Sequence, residues 1–167
     1  MNVISMIKPS ELRSFAGHFP TGIAVITVRN SQGECHGLTM NSVTTLSLTP
    51  PLMLICLDNA SNTLQALDDA THFCVHYLAE DQHEISNLFA SKTADKFSSL
   101  SYEVSELGCA VINGAVAHAE CAVVDRYPGG DHTIVIGQLQ NAVITGGSPL
   151  VFHRGTYAAI GPLEKIA

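Results

Sequence analysis

Short runs of β-branched and aliphatic residues recur along this chain, and each meets a turn signal before it reaches helical length. Ile23 to Val28 leads into Asn30-Ser31-Gln32-Gly33, and the chain resumes at Cys35 to Thr39, the spacing of a hairpin. Val43 to Leu48 stops at Thr49-Pro50-Pro51. Leu52 to Leu57 then runs without a polar residue, as expected of a strand buried on both faces. His72 to Leu78, Gly114 to Tyr127, Thr133 to Thr145 and Leu150 to His153 complete the expected strands, and Gly155 and Gly161-Pro162 punctuate the end. A doubly wound sheet needs regular alternation with longer helices. This pattern predicts a mainly β fold instead, a Greek-key barrel of the OB or split-barrel type.

Helical periodicity is confined to short pieces. Lys8-Pro9-Ser10-Glu11 starts one, with Ser10 as the expected cap and Leu12, Phe15 and Ala16 on one face. Thr63 to Leu67 is a second, capped by Ser61 or Asn62, and Asp81 to Ala90 a third, with Ile85, Leu88 and Phe89 on one side. Residues 91 to 114 carry little pattern and read as a long excursion. The 167 residues suit one domain, 1–167, with its core over about 10–160.

Composition narrows the function. Hydrophobic residues at 46% against charged ones at 14% describe a chain with much to bury, and some of its surface is expected to be hidden by self-association. A formal charge of -7 with no basic run argues against nucleic acid. The cations near ligand-like segments, Lys92, Lys96, Arg126 and Arg154, suit one small anion. Five cysteines with no Cys-x-x-Cys do not make a disulfide framework, and no apolar run approaches a membrane span. A cytoplasmic protein with no membrane association is expected. A metal site is not: His72, Cys74 and His76 share one face of a strand, but alternate residues stand about 6.6 Å apart. Zinc ligands must each come within about 2.3 Å of the ion.

Two segments carry the functional signal. His36-Gly37-Leu38-Thr39-Met40-Asn41-Ser42 packs short polar side chains where backbone can approach a planar ligand, although the same residues also make an ordinary polar turn. Gly129-Gly130-Asp131-His132-Thr133 is a glycine-flexed turn bearing one acid and one histidine, which reads equally as a plain hairpin on local grounds. Ser61-Asn62-Thr63 opens a helix, a place that either caps its own backbone or receives an anion. Gly-x-Ser-x-Gly, Gly-x-x-x-x-Gly-Lys and Gly-x-Gly-x-x-Gly are all absent.

Gly37-Leu38-Thr39-Met40-Asn41-Ser42, with Ser47 and the Pro50-Pro51 pair after it, and the Gly-Asp-His turn at 130–132 resemble the flavin reductase family. The resemblance extends from about Phe15 to Tyr157. It implies the FMN-binding split β-barrel, a homodimer, and hydride transfer from NADH or NADPH to FMN or FAD. The reduced flavin would go to a partner flavin-dependent monooxygenase. By the same resemblance Thr39, Met40, Asn41, Ser42 and Ser47 lie along the flavin, and Ser61, Asn62 and Thr63 receive its phosphate. Phe89, Ala90 and Lys96 take other phosphate-side positions, Tyr157 lies near the nicotinamide although it reads better on local grounds as an ordinary packing tyrosine, and His132 helps to hold the nucleotide. Two positions depart from the family pattern: His76 where asparagine is usual, and Cys109-Ala110-Val111 where a small residue precedes proline. The rival readings are a non-enzymatic FMN-binding electron-transfer module and a reductase of another acceptor that retains bound FMN.

Overall fold

The structure, a computed structural model, describes residues 6–161, so Pro162 of the closing turn lies outside them. Its elements run α1 (Pro9–Ala16), β1 (Thr21–Gly22), β2 (Ala24–Arg29), β3 (Cys35–Met40), β4 (Val43–Leu48), β5 (Pro51–Asp58), α2 (Asn62–Asp68) and β6 (His72–Tyr77). Then follow α3 (His83–Ala90), β7 (Tyr102–Val104), β8 (Ala110–Ile112), β9 (Ala117–Gly129), β10 (His132–Ile144), β11 (Val151–His153) and β12 (Thr156–Ala158). The chain is mainly β, as its broken apolar runs require.

Seven strands form one antiparallel sheet in the order β3-β2-β6-β9-β10-β5-β4. Its two edges, β3 and β4, are consecutive in the chain, and only Asn41 and Ser42 separate them. In a flat sheet of seven strands the edges would lie roughly 29 Å apart. Three peptide steps from Met40 to Val43 reach about 11 Å at most. The sheet must therefore curl until its edges nearly meet, giving a barrel split between β3 and β4. The His36–Ser42 segment lies along that split.

Inside the curl Ile26, Val28, Ile55, Leu57, Phe73, Val75 and Val135 pack together, with Ala66 and Leu67 of α2 among them. A second cluster, including Val25, Leu78, Phe89, Phe97 and Ile112, lies on the outer face of β2 and β6, beneath α3 and β8. Covered on both sides, β2 is buried from Ala24 to Val28. The expectation that β5 is the doubly buried strand is corrected: Met53, Ile55 and Leu57 are buried, whereas Leu52, Leu54 and Cys56 are half-buried. The second apolar cluster covers β2 and β6, not β5.

Residues 91–114 are more ordered than their sequence suggests, because β7 and β8 pair as a small hairpin over the sheet. Thr27 Oγ1 donates to the Ala110 carbonyl at 2.6 Å. His76 links both sides, with Nδ1 3.1 Å from the Val25 carbonyl and Nε2 3.1 Å from the Ile112 N–H. A carbonyl only accepts and an N–H only donates, so the ring is neutral with its proton on Nδ1. Burial pushes its pKa down to about 4. Glu120 lies beside it, 2% exposed. Burial pulls that carboxyl upward, but hydrogen bonds from Ser105, Asn141 and Cys109 outweigh it and hold Glu120 below its ordinary value.

The first helix also differs from expectation. Lys8, not Ser10, is the cap residue, and the Glu11 carboxylate accepts the Lys8 backbone N–H at 2.7 Å. Pro9 explains the choice, since it fits the first helical position and places Ser10 inside the helix. Leu12 and Phe15 share a face but remain 54% and 80% exposed.

Candidate functional site

A cleft of about 600 Å³ opens where β3, the Asp58–Asn62 loop and the segment after α3 converge. That volume falls in the range of small-ligand sites, roughly 300–1,000 Å³. Of the residues singled out from sequence, Thr39, Ser61, Asn62, Thr63, Phe89, Ala90 and Lys96 line it. They come from three chain segments, so the fold gathers what the sequence scatters.

The wall is built by close approach. A Cβ on Gly37 would stand 2.6 Å from Cε1 of Phe89 and 2.9 Å from the Ile26 carbonyl, so only glycine lets the phenyl ring come this close to β3. The Lys96 ammonium then ties the corner, donating to the carbonyls of Phe89 at 2.7 Å and Gly37 at 3.1 Å. Burial lowers its pKa. An ammonium has three protons, so one donor remains after these two bonds. Thr39 Oγ1 donates to the Ser86 carbonyl at 2.7 Å, which fastens α3 to β3. Ser61 caps α2, its Oγ accepting the Leu64 N–H at 3.1 Å. Lys92 and His36 also line the cleft. Lys92 was legible only as a cation near ligand-like residues, and His36 as the first residue of the motif.

Strand alternation divides the rest of the motif. Met40 turns into the core at 8% exposure. Asn41 lines a second cavity, about 380 Å³, with Phe19, Thr21, Thr44 and Tyr77, and its Nδ2 donates to Thr21 Oγ1 at 3.2 Å. Ser42 Oγ donates to the Cys56 carbonyl at 3.2 Å, extending the β4–β5 ladder by one rung, and Ser47 Oγ accepts the Thr49 N–H at 3.2 Å. Tyr157 lines neither cavity. Its hydroxyl bonds Asn87 Oδ1 at 2.7 Å and Ser86 Oγ at 3.0 Å, so it braces α3 from the outside.

The β9–β10 turn brings His132 to the same end of the barrel. Gly130 takes φ +73°, which glycine adopts without strain. His132 Nδ1 lies 2.7 Å from Asp131 Oδ1, and that contact holds the Asp131 carboxyl below its ordinary value. His132 stands opposite Asp58 in the ladder with β5, and Asp58 lines the cleft. His132 lines neither cavity itself. Among the described residues no group of three or more His, Cys, Asp or Glu side chains is placed to hold a metal ion, and no helix is long and apolar enough to cross a membrane.

Comparison with known proteins fits this arrangement. The reductase subunit HsaB of a flavin-dependent monooxygenase from Mycobacterium tuberculosis is 38% identical over 95% of this chain and 86% of its own length. A flavin reductase from Pseudomonas putida is 35% identical over 96% of this chain and 95% of its own. The NADH:FAD oxidoreductase SgcE6 of Streptomyces globisporus, solved with NAD and FAD fragments, superposes with a TM-score of 0.87. It shares 36% identity and covers 95% of this chain and 98% of its own. The model of the flavin reductase like domain matches residues 16–161, spanning the split, the cleft and the Gly-Asp-His turn, and the chain belongs to that family.

Proposed function

We propose that this protein is an NAD(P)H:flavin oxidoreductase of one domain. It takes hydride from NADH or NADPH, reduces FMN or FAD, and supplies the reduced flavin to a partner monooxygenase. The observation that carries this reading is the cleft, where Lys96, Ser61, Asn62 and Thr63 converge on a space that suits a phosphate-bearing ligand. In a chain of net charge -7, Lys92 and Lys96 on its wall supply the positive charge a phosphate needs.

Flavin, when bound, supplies the hydride acceptor, and the nicotinamide supplies the donor, so the protein's part is to hold and orient. Ser61, Asn62 and Thr63 at the start of α2 and the remaining Lys96 proton receive the phosphate. Thr39 sits on the same wall with its hydroxyl already committed to Ser86. It thus keeps β3 and α3 at a fixed distance instead of reaching for ligand. Asn41 and Ser42 mark where the isoalloxazine approaches the split. His132, half-buried at the start of β10, contributes a hydrogen bond to the nucleotide.

A homodimer completes the proposal. The half-buried outer side of β5 and the exposed Phe15 and Phe19 give it apolar surface to bury. The five free thiols suit a reducing cytoplasm. The test is His132→Ala under steady-state turnover. A rise in the apparent KM for NADH of roughly three- to tenfold, the loss of about one hydrogen bond, is expected with little change in kcat. An unchanged KM would remove His132 from the nucleotide site.

A further inference from the structure

The Gly-Asp-His turn and the loop entering α2 are distant in sequence, and one residue joins them through both its backbone and its side chain. Asn59 donates its backbone N–H to the Asp131 carbonyl at 3.0 Å. Its Oδ1 accepts from Thr133 Oγ1 at 2.8 Å, and its Nδ2 lies 3.5 Å from the Gly130 carbonyl. The residues on either side of His132 are therefore both tied to Asn59. The neighbours of Asn59, Asp58 and Ala60, line the cleft, while Asn59 does not.

The ladders with β5 and β9 hold the His132 backbone at the end of β10, but Gly130 at φ +73° leaves the tip of the turn beyond them with glycine's backbone freedom. Asn59 adds a constraint past the last rung, because a carboxamide offers an acceptor and a donor on one short stem. Aspartate would keep only the acceptor and would add a third carboxylate beside Asp58 and Asp131.

We infer that Asn59 is a positioning residue that latches the His132 turn to the cleft loop, setting the distance between the nucleotide-holding histidine and the flavin-phosphate loop. This rests on the oxidoreductase reading above. Nothing about Asn59 stands out in the sequence, where it is one polar residue in Asp58-Asn59-Ala60-Ser61-Asn62.

The test is steady-state NADH oxidation with added FMN, comparing wild type, Asn59→Ala, His132→Ala and the double variant. Asn59→Ala should raise the apparent KM for NADH roughly three- to tenfold, as expected for one or two lost hydrogen bonds, with kcat and the KM for FMN within about twofold. In the His132→Ala background it should add nothing, since the latch acts through that histidine. Thr133→Val should reproduce the effect and Thr133→Ser should not, which keeps the test open if Asn59→Ala folds poorly. An Asn59→Ala enzyme with wild-type KM overturns the inference, as does an equal rise in both backgrounds. If His132→Ala raises KM and Asn59→Ala does not, only the latch fails. If the wild type oxidises neither NADH nor NADPH, the oxidoreductase reading fails and takes the latch with it; if His132→Ala has no effect, His132 leaves the nucleotide site and the latch fails while the oxidoreductase reading stands.

Discussion

Acid should weaken this fold through one buried histidine, and the size of the effect follows from its surroundings. His76 is fully buried, donates to Val25 from Nδ1 and accepts from Ile112 at Nε2, an arrangement that only the neutral ring satisfies. Its pKa falls from 6.5 to about 4, chiefly by burial, with the nearby His118 adding to the shift. The folded value lies below the unfolded one, so the unfolded chain binds more protons between the two. Stability from this group is complete above about pH 6.5 and is lost as pH falls toward about 4. Over the whole window that is about 3 kcal/mol, of which about 2 kcal/mol is gone by pH 5. Urea unfolding of wild type and His76→Asn at fixed protomer concentration measures it, since asparagine keeps a donor and an acceptor but does not titrate. Other groups, Glu120 among them, titrate in both proteins and cancel in the comparison. Wild type should lose about 2 kcal/mol more than His76→Asn between about pH 7.5 and 5. Parallel pH dependence in the two proteins would refute the assignment of a neutral, doubly bonded His76.

Two further substitutions probe the cleft wall. Gly37→Ala should cost about 1–3 kcal/mol by overpacking against the buried Phe89 and the rigid Ile26 carbonyl, read as a lower urea midpoint. A midpoint equal to wild type would mean that the ring is not held as described. Lys96→Met should weaken FMN binding roughly 10- to 100-fold, as for loss of a charged hydrogen bond, yet change riboflavin binding much less, because riboflavin lacks the phosphate. Equal losses for both ligands would place the ammonium away from the phosphate.

Much of the barrel was legible because its strands are local events. Val43 to Leu48 and the two long strands ending and beginning at the Gly-Gly-Asp-His turn carry β-branched residues between clear turn signals, and they form as expected. The cap of α2 was readable to within one residue, as Ser61 or Asn62, since capping depends on a few adjacent residues, and Ser61 takes it. The β7–β8 hairpin was not. Its strands are three residues each, and what holds them is Thr27 and His76, far away in sequence. Burial of β5 was misjudged for a related reason: six apolar residues in a row do not say which face a helix will cover. At the site, the segments were visible but their division was not. Pleat geometry sends Met40 to the core and Asn41 to a second cavity, and the role of Asn59 depends on a turn that is distant in sequence. Tyr157, which the family resemblance puts near the nicotinamide and which locally reads as an ordinary packing tyrosine, bonds α3 through its hydroxyl.

The most direct test of the central claim is steady-state NADH oxidation by the purified protein, measured as free FMN is titrated in. The account predicts a rate that rises and saturates with added FMN, because flavin is reduced in the cleft and then released. A protein that binds flavin yet oxidises neither NADH nor NADPH at any FMN concentration would contradict it.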